Sequence, residues 1–187
     1  MSLMNTSLFS FIVATILFAV PVFAGMEADA DDEEDTEIGM DTEKLPWAVD
    51  LLAESRQAAC YGQPLVVMFG SSRCPYCHVV RSLYMIPLMD DERYPGILTR
   101  ELETDSDQLV RDFSGKQVTM SELAARHGVT LVPQVVVFGP DGRQAGKPII
   151  GISNEDFYGY YLDQAILAGV KMVNDAPSAS PAAYVCD

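Results

Sequence analysis

Residues 65–81 read LVVMFGSSRCPYCHVVR, an apolar run that leads directly to two cysteines with two residues between them. The run Leu65-Val66-Val67-Met68-Phe69 leaves no side for solvent, the pattern of a strand covered on both faces in the middle of a sheet flanked by helices. Pro75 suits the first turn of a helix, where its missing N–H would have no intrahelical partner. Val79, Val80, Leu83 and Ile86 continue that helix's apolar face until Pro87 kinks or ends it. Cys74 then sits at the mouth of a helix and Cys77 one turn inside. The free N–H groups and positive dipole end at the mouth favour a thiolate, so Cys74 reads as an attacking nucleophile, with Arg73 as an added positive charge. Cys77, deeper, reads as the thiol that resolves a mixed disulfide at Cys74.

Upstream, Leu45, Ala48, Leu51, Leu52, Ser55, Ala58 and Ala59 recur at helical spacing and predict a helix over 45–59, stopped by Gly62 and Pro64. Downstream, Ile97–Leu102 is a weaker strand, and the polar stretch Glu103–Val118 reads as an inserted loop or short helix. Thr119 with Glu122 makes a capping box, and Gly128 offers a stop for the short helix between them. Val132–Phe138 is a strand, Pro140-Asp141-Gly142 a turn, and Ile149–Ile152 a returning strand. Ser153 with Asp156 opens a last helix carrying Phe157, Tyr161, Leu162, Ala165 and Ile166, with Phe157 and Tyr161 expected in the core. This order implies an α/β domain: a central mixed β-sheet flanked by helices, preceded by an N-terminal helix.

The two ends read differently. Residues 1–24 have the form of a signal peptide, with an apolar run from Leu8 to Phe23 and a small-residue cleavage site ending at Ala24. Its start lacks Lys and Arg, which leaves an uncleaved anchor as the alternative, although the run is shorter than the roughly 20 residues that span a bilayer. Residues 25–43 form an acidic linker expected to be disordered: ten carboxylates lie between 27 and 43 with no basic side chain. Residues 44–172 form the folded domain, and 173–187 a disordered tail. The net charge of −15 disfavours nucleic acid as a partner. Export places the four cysteines where disulfides persist, but the spacing of Cys74 and Cys77 is poor for a structural staple.

The strand, CPYC and helix, followed by Val132-Pro133 before a strand, resemble the thioredoxin superfamily, with the Pro75-Tyr76 dipeptide similar to that of glutaredoxins. LVVMFGSSRCPYCHVVR, VRDFSGKQVTMSELAARHGVTLVPQVVVFGPDGR and IIGISNEDF together resemble the SoxW-like periplasmic thioredoxins over roughly residues 45–168. The resemblance implies the thioredoxin fold, a Cys74–Cys77 redox-active disulfide, and a cis Val132–Pro133 bond that exposes the Val132 backbone to a substrate strand. From the residues alone, Pro133 merely starts a strand. Pro75, Tyr76, Val132, Pro133 and Gly151 would then contact substrate, Gly151 by letting its backbone approach closely; an isolated strand glycine equally marks a bulge. The sequence departs from cytosolic thioredoxin in having no tryptophan before Cys74 and Met68 in place of a buried aspartate. Another group must therefore accept the Cys77 proton.

The expected activity is reduction of disulfides in periplasmic client proteins by a monomer without cofactor or metal. A membrane electron carrier of the CcdA/DsbD type, implied by the resemblance, restores the dithiol. A disulfide-donating oxidase would use the same residues. CPYC followed by His78 also fits covalent c-type haem attachment, against a solvent-facing His78. Two thiolates alone could bind a soft metal in a metal-binding or adhesive module. His127 is expected to end a helix. Cys60 and Cys186 stay open among a structural disulfide, free thiols and an interchain bridge.

Overall fold

Every side chain of the run at 65–70 is buried, because the strand it forms, β1 (Leu65–Gly70), lies inside a sheet and between two layers of helices. The computed structural model describes residues 44–175. On one side β1 pairs in parallel with β2 (Leu98–Glu103), and on the other antiparallel with β5 (Gln134–Phe138). A hairpin joins β5 to β6 (Gln144–Ile150), giving the order β2-β1-β5-β6. Alternation splits the core. Val66, Met68, Val135 and Val137 face a layer with Val80, Met85, Leu162 and Ile166; Leu65, Val67, Phe69 and Val136 face one with Leu51, Met120 and Leu123. Burying each such side chain contributes about 1.5–3 kcal/mol.

Helix α1 (Leu51–Cys60) begins six residues later than the apolar spacing predicts, with the Asp50 carboxylate accepting the Ala53 N–H at 2.9 Å. Leu45 and Ala48 are buried as predicted, but in an extended strap along the outer edge of β2. The Glu101 N–H donates to Pro46 at 2.8 Å and the Ala48 N–H to Glu101 at 3.0 Å. The strap satisfies backbone groups that the edge of β2 would otherwise leave unpaired.

Helix α2 (Pro75–Val80) runs into a π turn at Arg81–Met85 and a last turn, α3 (Ile86–Leu88). Pro87 has no N–H and its ring crowds the preceding turn; the backbone accommodates it by widening there, the Ile86 N–H bonding to Arg81, and the helix ends as predicted.

The stretch 103–118 is neither a loop nor a helix. It holds most of a two-stranded hairpin of β3 (Leu109–Arg111) and β4 (Gln117–Thr119). Asp112 organises its turn: Oδ1 accepts the Ser114 N–H at 2.8 Å, the Lys116 N–H at 3.0 Å and the Ser114 hydroxyl at 2.6 Å. Thr119 caps α4 (Met120–Arg126), accepting the Glu122 N–H at 3.1 Å.

Strand β6 starts at Gln144, well before the predicted Ile149, and forms the sheet's outer strand with Pro148 inside it. The intervening turn needs Gly142, whose φ is +76° and where a Cβ would strike the Phe113 ring. Asn154, not Ser153, serves the start of α5 (Glu155–Asp175), its side-chain oxygen accepting the Asp156 N–H at 3.0 Å. The buried face of α5 is Tyr158, Leu162, Ala165, Ile166, Gly169 and Val173, whereas Phe157 and Tyr161 are exposed. Helix α5 continues through Asp175, so 173–175 are not part of a disordered tail. The rest of that tail, the signal peptide and the acidic linker lie outside the described residues. Among the described residues no helix is long and apolar enough to cross a membrane. The mixed sheet flanked by helices, with α1 ahead of it, is a thioredoxin fold.

Candidate redox site

At the end of β1 the chain leaves the sheet through Ser71, Ser72 and Arg73 and re-enters regular structure at Cys74, whose N–H donates to Ser71 at 3.1 Å. Cys74 is the N-cap of α2, with extended dihedrals (φ −100°, ψ 106°), and its sulfur accepts the Cys77 N–H at 3.1 Å. The two cysteines form a disulfide, their Cα atoms 5.3 Å apart. Cys74 is partly exposed while Cys77 is completely buried, so a reactant meets the first sulfur and the second lies behind it. Pro75 and Tyr76 are exposed beside the disulfide. Arg73 does not reach Cys74's sulfur as a dedicated charge; it is solvated and pairs with Asp105 at 3.6 Å.

The Val132–Pro133 bond is cis. Because Phe69 pairs with Gln134, Pro133 lies at the end of the sheet from which β1 leads to Cys74. Gly151 follows the last residue of β6, and its N–H donates to the Pro133 carbonyl at 2.8 Å. Its φ of +68° accounts for the glycine, and a Cβ there would meet nothing within 4 Å. The sheet's irregularity lies elsewhere, between Val135 and Val137.

His78 is exposed, and a haem bonded to both sulfurs would need Cys77 outside the core, so these residues do not fit haem attachment. Among the described residues no three His, Cys, Asp or Glu side chains converge as a metal site. His127 closes α4 and packs among the rings of Phe69, Phe113 and Phe138; burial pushes its pKa down. Cys60, the last residue of α1, is disulfide-bonded, which removes the free thiol from its alternatives.

Four residues unassigned from sequence, Trp47, Arg81, Glu101 and Glu103, join the site. A groove of about 320 Å³ beside Cys74 is lined also by Trp47, His78, Arg81, Glu101 and Glu103. Glu101 pairs in register with Met68, so its carboxylate stands one strand to the side of that buried thioether. Arg81 grips it with two hydrogen bonds, Nε to Oε2 at 2.8 Å and a second from Nη2 to Oε1. The carboxylate raises the Arg81 pKa; burial, then the charges of Glu101 and Asp105, raise that of Glu103. Sequence did contain a signal for Arg81: four residues after Cys77, it falls on the same helix face. Trp47 is the chain's one tryptophan and reaches the groove through the strap, not through the loop before Cys74.

A family profile described as Thioredoxin-like domain matches residues 53–165. Solved structures similar to the chain include thioredoxin O2 of Arabidopsis thaliana in its oxidised state (19% identity, covering 63% of this chain and 93% of that one, TM-score 0.42). Oxidised mitochondrial thioredoxin 3 of Saccharomyces cerevisiae is 23% identical over 64% of this chain and 93% of its own, with TM-score 0.42. A thioredoxin-fold protein of Helicobacter pylori is 17% identical over 62% and 74%, with TM-score 0.44. No curated protein matches the sequence. With its profile match spanning β1, the cysteine pair and the cis proline, the chain belongs to the Thioredoxin-like domain family.

Proposed function

We propose that this protein is an exported thiol-disulfide oxidoreductase that reduces disulfides of periplasmic clients, in the manner of the SoxW-like thioredoxins its sequence resembles. The observation that carries this reading is the asymmetry of the pair: the partly exposed Cys74 sulfur takes an N–H bond from Cys77, while the Cys77 sulfur is sealed beneath it. In the reduced enzyme the Cys74 thiolate attacks one sulfur of a client disulfide. A mixed disulfide forms and the other client sulfur leaves as a thiolate. Cys77, once deprotonated, attacks Cys74; the Cys74–Cys77 bond forms and the second client thiolate departs. Two electrons pass to the client, and a membrane carrier of the CcdA/DsbD type returns them. Val132 and Pro133, with Gly151 tied to the Pro133 carbonyl, supply backbone for an extended client segment, and Pro75 and Tyr76 flank it. The enzyme acts as a monomer.

The test is insulin-disulfide reduction together with the Cys74–Cys77 reduction potential. Activity that is abolished in Cys74→Ser, trapping of clients on Cys77→Ser, and a potential near that of thioredoxin, about −270 mV, support the reading. Full activity in Cys74→Ser would overturn the site; a strongly oxidising potential, near −120 mV, would reverse the direction.

A further inference from the structure

The Cys77 thiol is fully buried, and before it can attack Cys74 its proton must go somewhere. Its immediate neighbours on β1, Met68 and Gly70, offer no acceptor. A point one bond from the Gly70 Cα, where a side chain would begin, is 3.7 Å from the Cys77 Cβ and 2.9 Å from Glu101 Oε1. The carboxylate and the resolving cysteine therefore flank the same gap, which a glycine leaves open. Glu101 is held there from three directions. Its backbone N–H and carbonyl are bound by Pro46 and Ala48 of the strap, and its side chain by Arg81 from the helix that carries Cys77. Only 4% of the side chain is exposed, yet Glu101 lines the same groove as Cys74, which gives a proton a way out.

We propose that Glu101 is the internal acceptor of the Cys77 proton and that Arg81 is its positioning residue. The proposal rests on the reading of Cys74 and Cys77 as the redox pair. In the mixed disulfide the Cys77 S–H bond breaks and its proton passes to a Glu101 oxygen, the electron pair staying on sulfur. That thiolate attacks the Cys74 sulfur, the Cys74–client bond breaks, and the departing client thiolate carries away the electron pair. The proton leaves Glu101 through the groove, to the client thiolate or to solvent. Arg81 is needed because an unpaired buried carboxyl holds its proton and accepts none; each oxygen keeps a lone pair beyond those Arg81 occupies. Among the described residues, the charged and titratable groups facing the carboxylate are Arg81, His78 and Cys77 from the helix, Glu103 from its own strand and Lys44 from the strap; β1 contributes none.

The experiment follows the reduced protein, with Cys60 and Cys186 replaced by serine so that only the Cys74–Cys77 pair reacts, using 5,5′-dithiobis(2-nitrobenzoate), which releases one thionitrobenzoate when Cys74 attacks and a second when Cys77 resolves. In Glu101→Gln the first release should match wild type, and the second should be about 10-fold or more slower at pH 7. It should recover towards the wild-type rate as pH rises through the ordinary thiol range, about 8.5 and above, where solvent takes the proton unaided. Arg81→Gln, which keeps the carboxylate and removes its counter-charge, should show the same selective loss and serves if the first variant does not fold. An unchanged second release in the folded variant, or a loss of both releases together at every pH, would overturn the proposal. Failure of the redox-pair reading would be seen separately, as insulin-disulfide reduction that survives in Cys74→Ser.

Discussion

The backbone N–H of Cys77 points at the sulfur of Cys74 across 3.1 Å, so the helix's first turn supplies a donor to the atom that must carry negative charge. Alkylation by iodoacetamide should therefore modify Cys74 first in the reduced protein, with a midpoint below the ordinary thiol value of about 8.5. Cys74→Ser should lower disulfide reduction about 1000-fold or more. Preferential labelling of Cys77 would contradict the asymmetry of burial.

Trp47 shares the Cys74 groove and is the only tryptophan in the chain. Its fluorescence should change when the disulfide is reduced, since a disulfide quenches an indole close to it. The change should vanish in Cys74→Ser/Cys77→Ser. A reduction-insensitive emission in the wild type would show that the indole does not sense the sulfurs.

The hairpin should be acid-sensitive through Asp112. The Ser114 hydroxyl above all, with the N–H groups of Lys116 and Ser114 and Arg126 nearby, holds its carboxyl below the usual carboxylate range against the opposing effect of burial. A pKa lower in the folded than in the unfolded chain contributes stability that is present above the unfolded value, about 3.9, and lost as pH falls through the folded one. Amide exchange in β3 and β4 should accelerate below about pH 4 beyond the rest of the sheet. Asp112→Asn should cost about 1–3 kcal/mol at pH 7 and flatten that acid dependence.

Tyr158 has the reverse problem. Its hydroxyl is buried and has no hydrogen-bond partner among the described residues, and burial, with the neighbouring Tyr84 adding to it, pushes its pKa well up. Tyr158→Phe removes an unpaired polar atom and keeps the ring that packs on Tyr84 at 4.4 Å. Thermal unfolding should show no loss, or a gain of up to about 1 kcal/mol; a loss of comparable size would mean that the hydroxyl is satisfied in solution.

The strand β1, the pair at its end and the capped α4 were legible because each follows from a strong local rule: unbroken apolar residues, a proline at a helix start, a Thr119–Glu122 box. Leu45 and Ala48 misled because a three-residue interval suits a helix and also an extended strap whose partner, β2, lies far along the chain. On α5, Phe157 and Tyr161 have the same spacing as Tyr158 and Leu162, and only packing against the sheet selects the second pair. The hairpin escaped notice because its strands are three residues long and an aspartate, not apolar alternation, shapes its turn. Glu101 looks like an ordinary surface carboxylate in a strand; its burial is produced by the strap and by Arg81, neither of which local periodicity reveals.

Both borders of the sheet carry a guard of their own. The strap takes up the N–H and carbonyl of Glu101 on the edge of β2, and Pro148 interrupts the row of donors along β6. A second molecule trying to extend the sheet by adding a strand finds one side taken and the other missing a bond, which disfavours fibrous self-association. A sheet guarded in this way can thus lie open to solvent without templating the growth of its own aggregates.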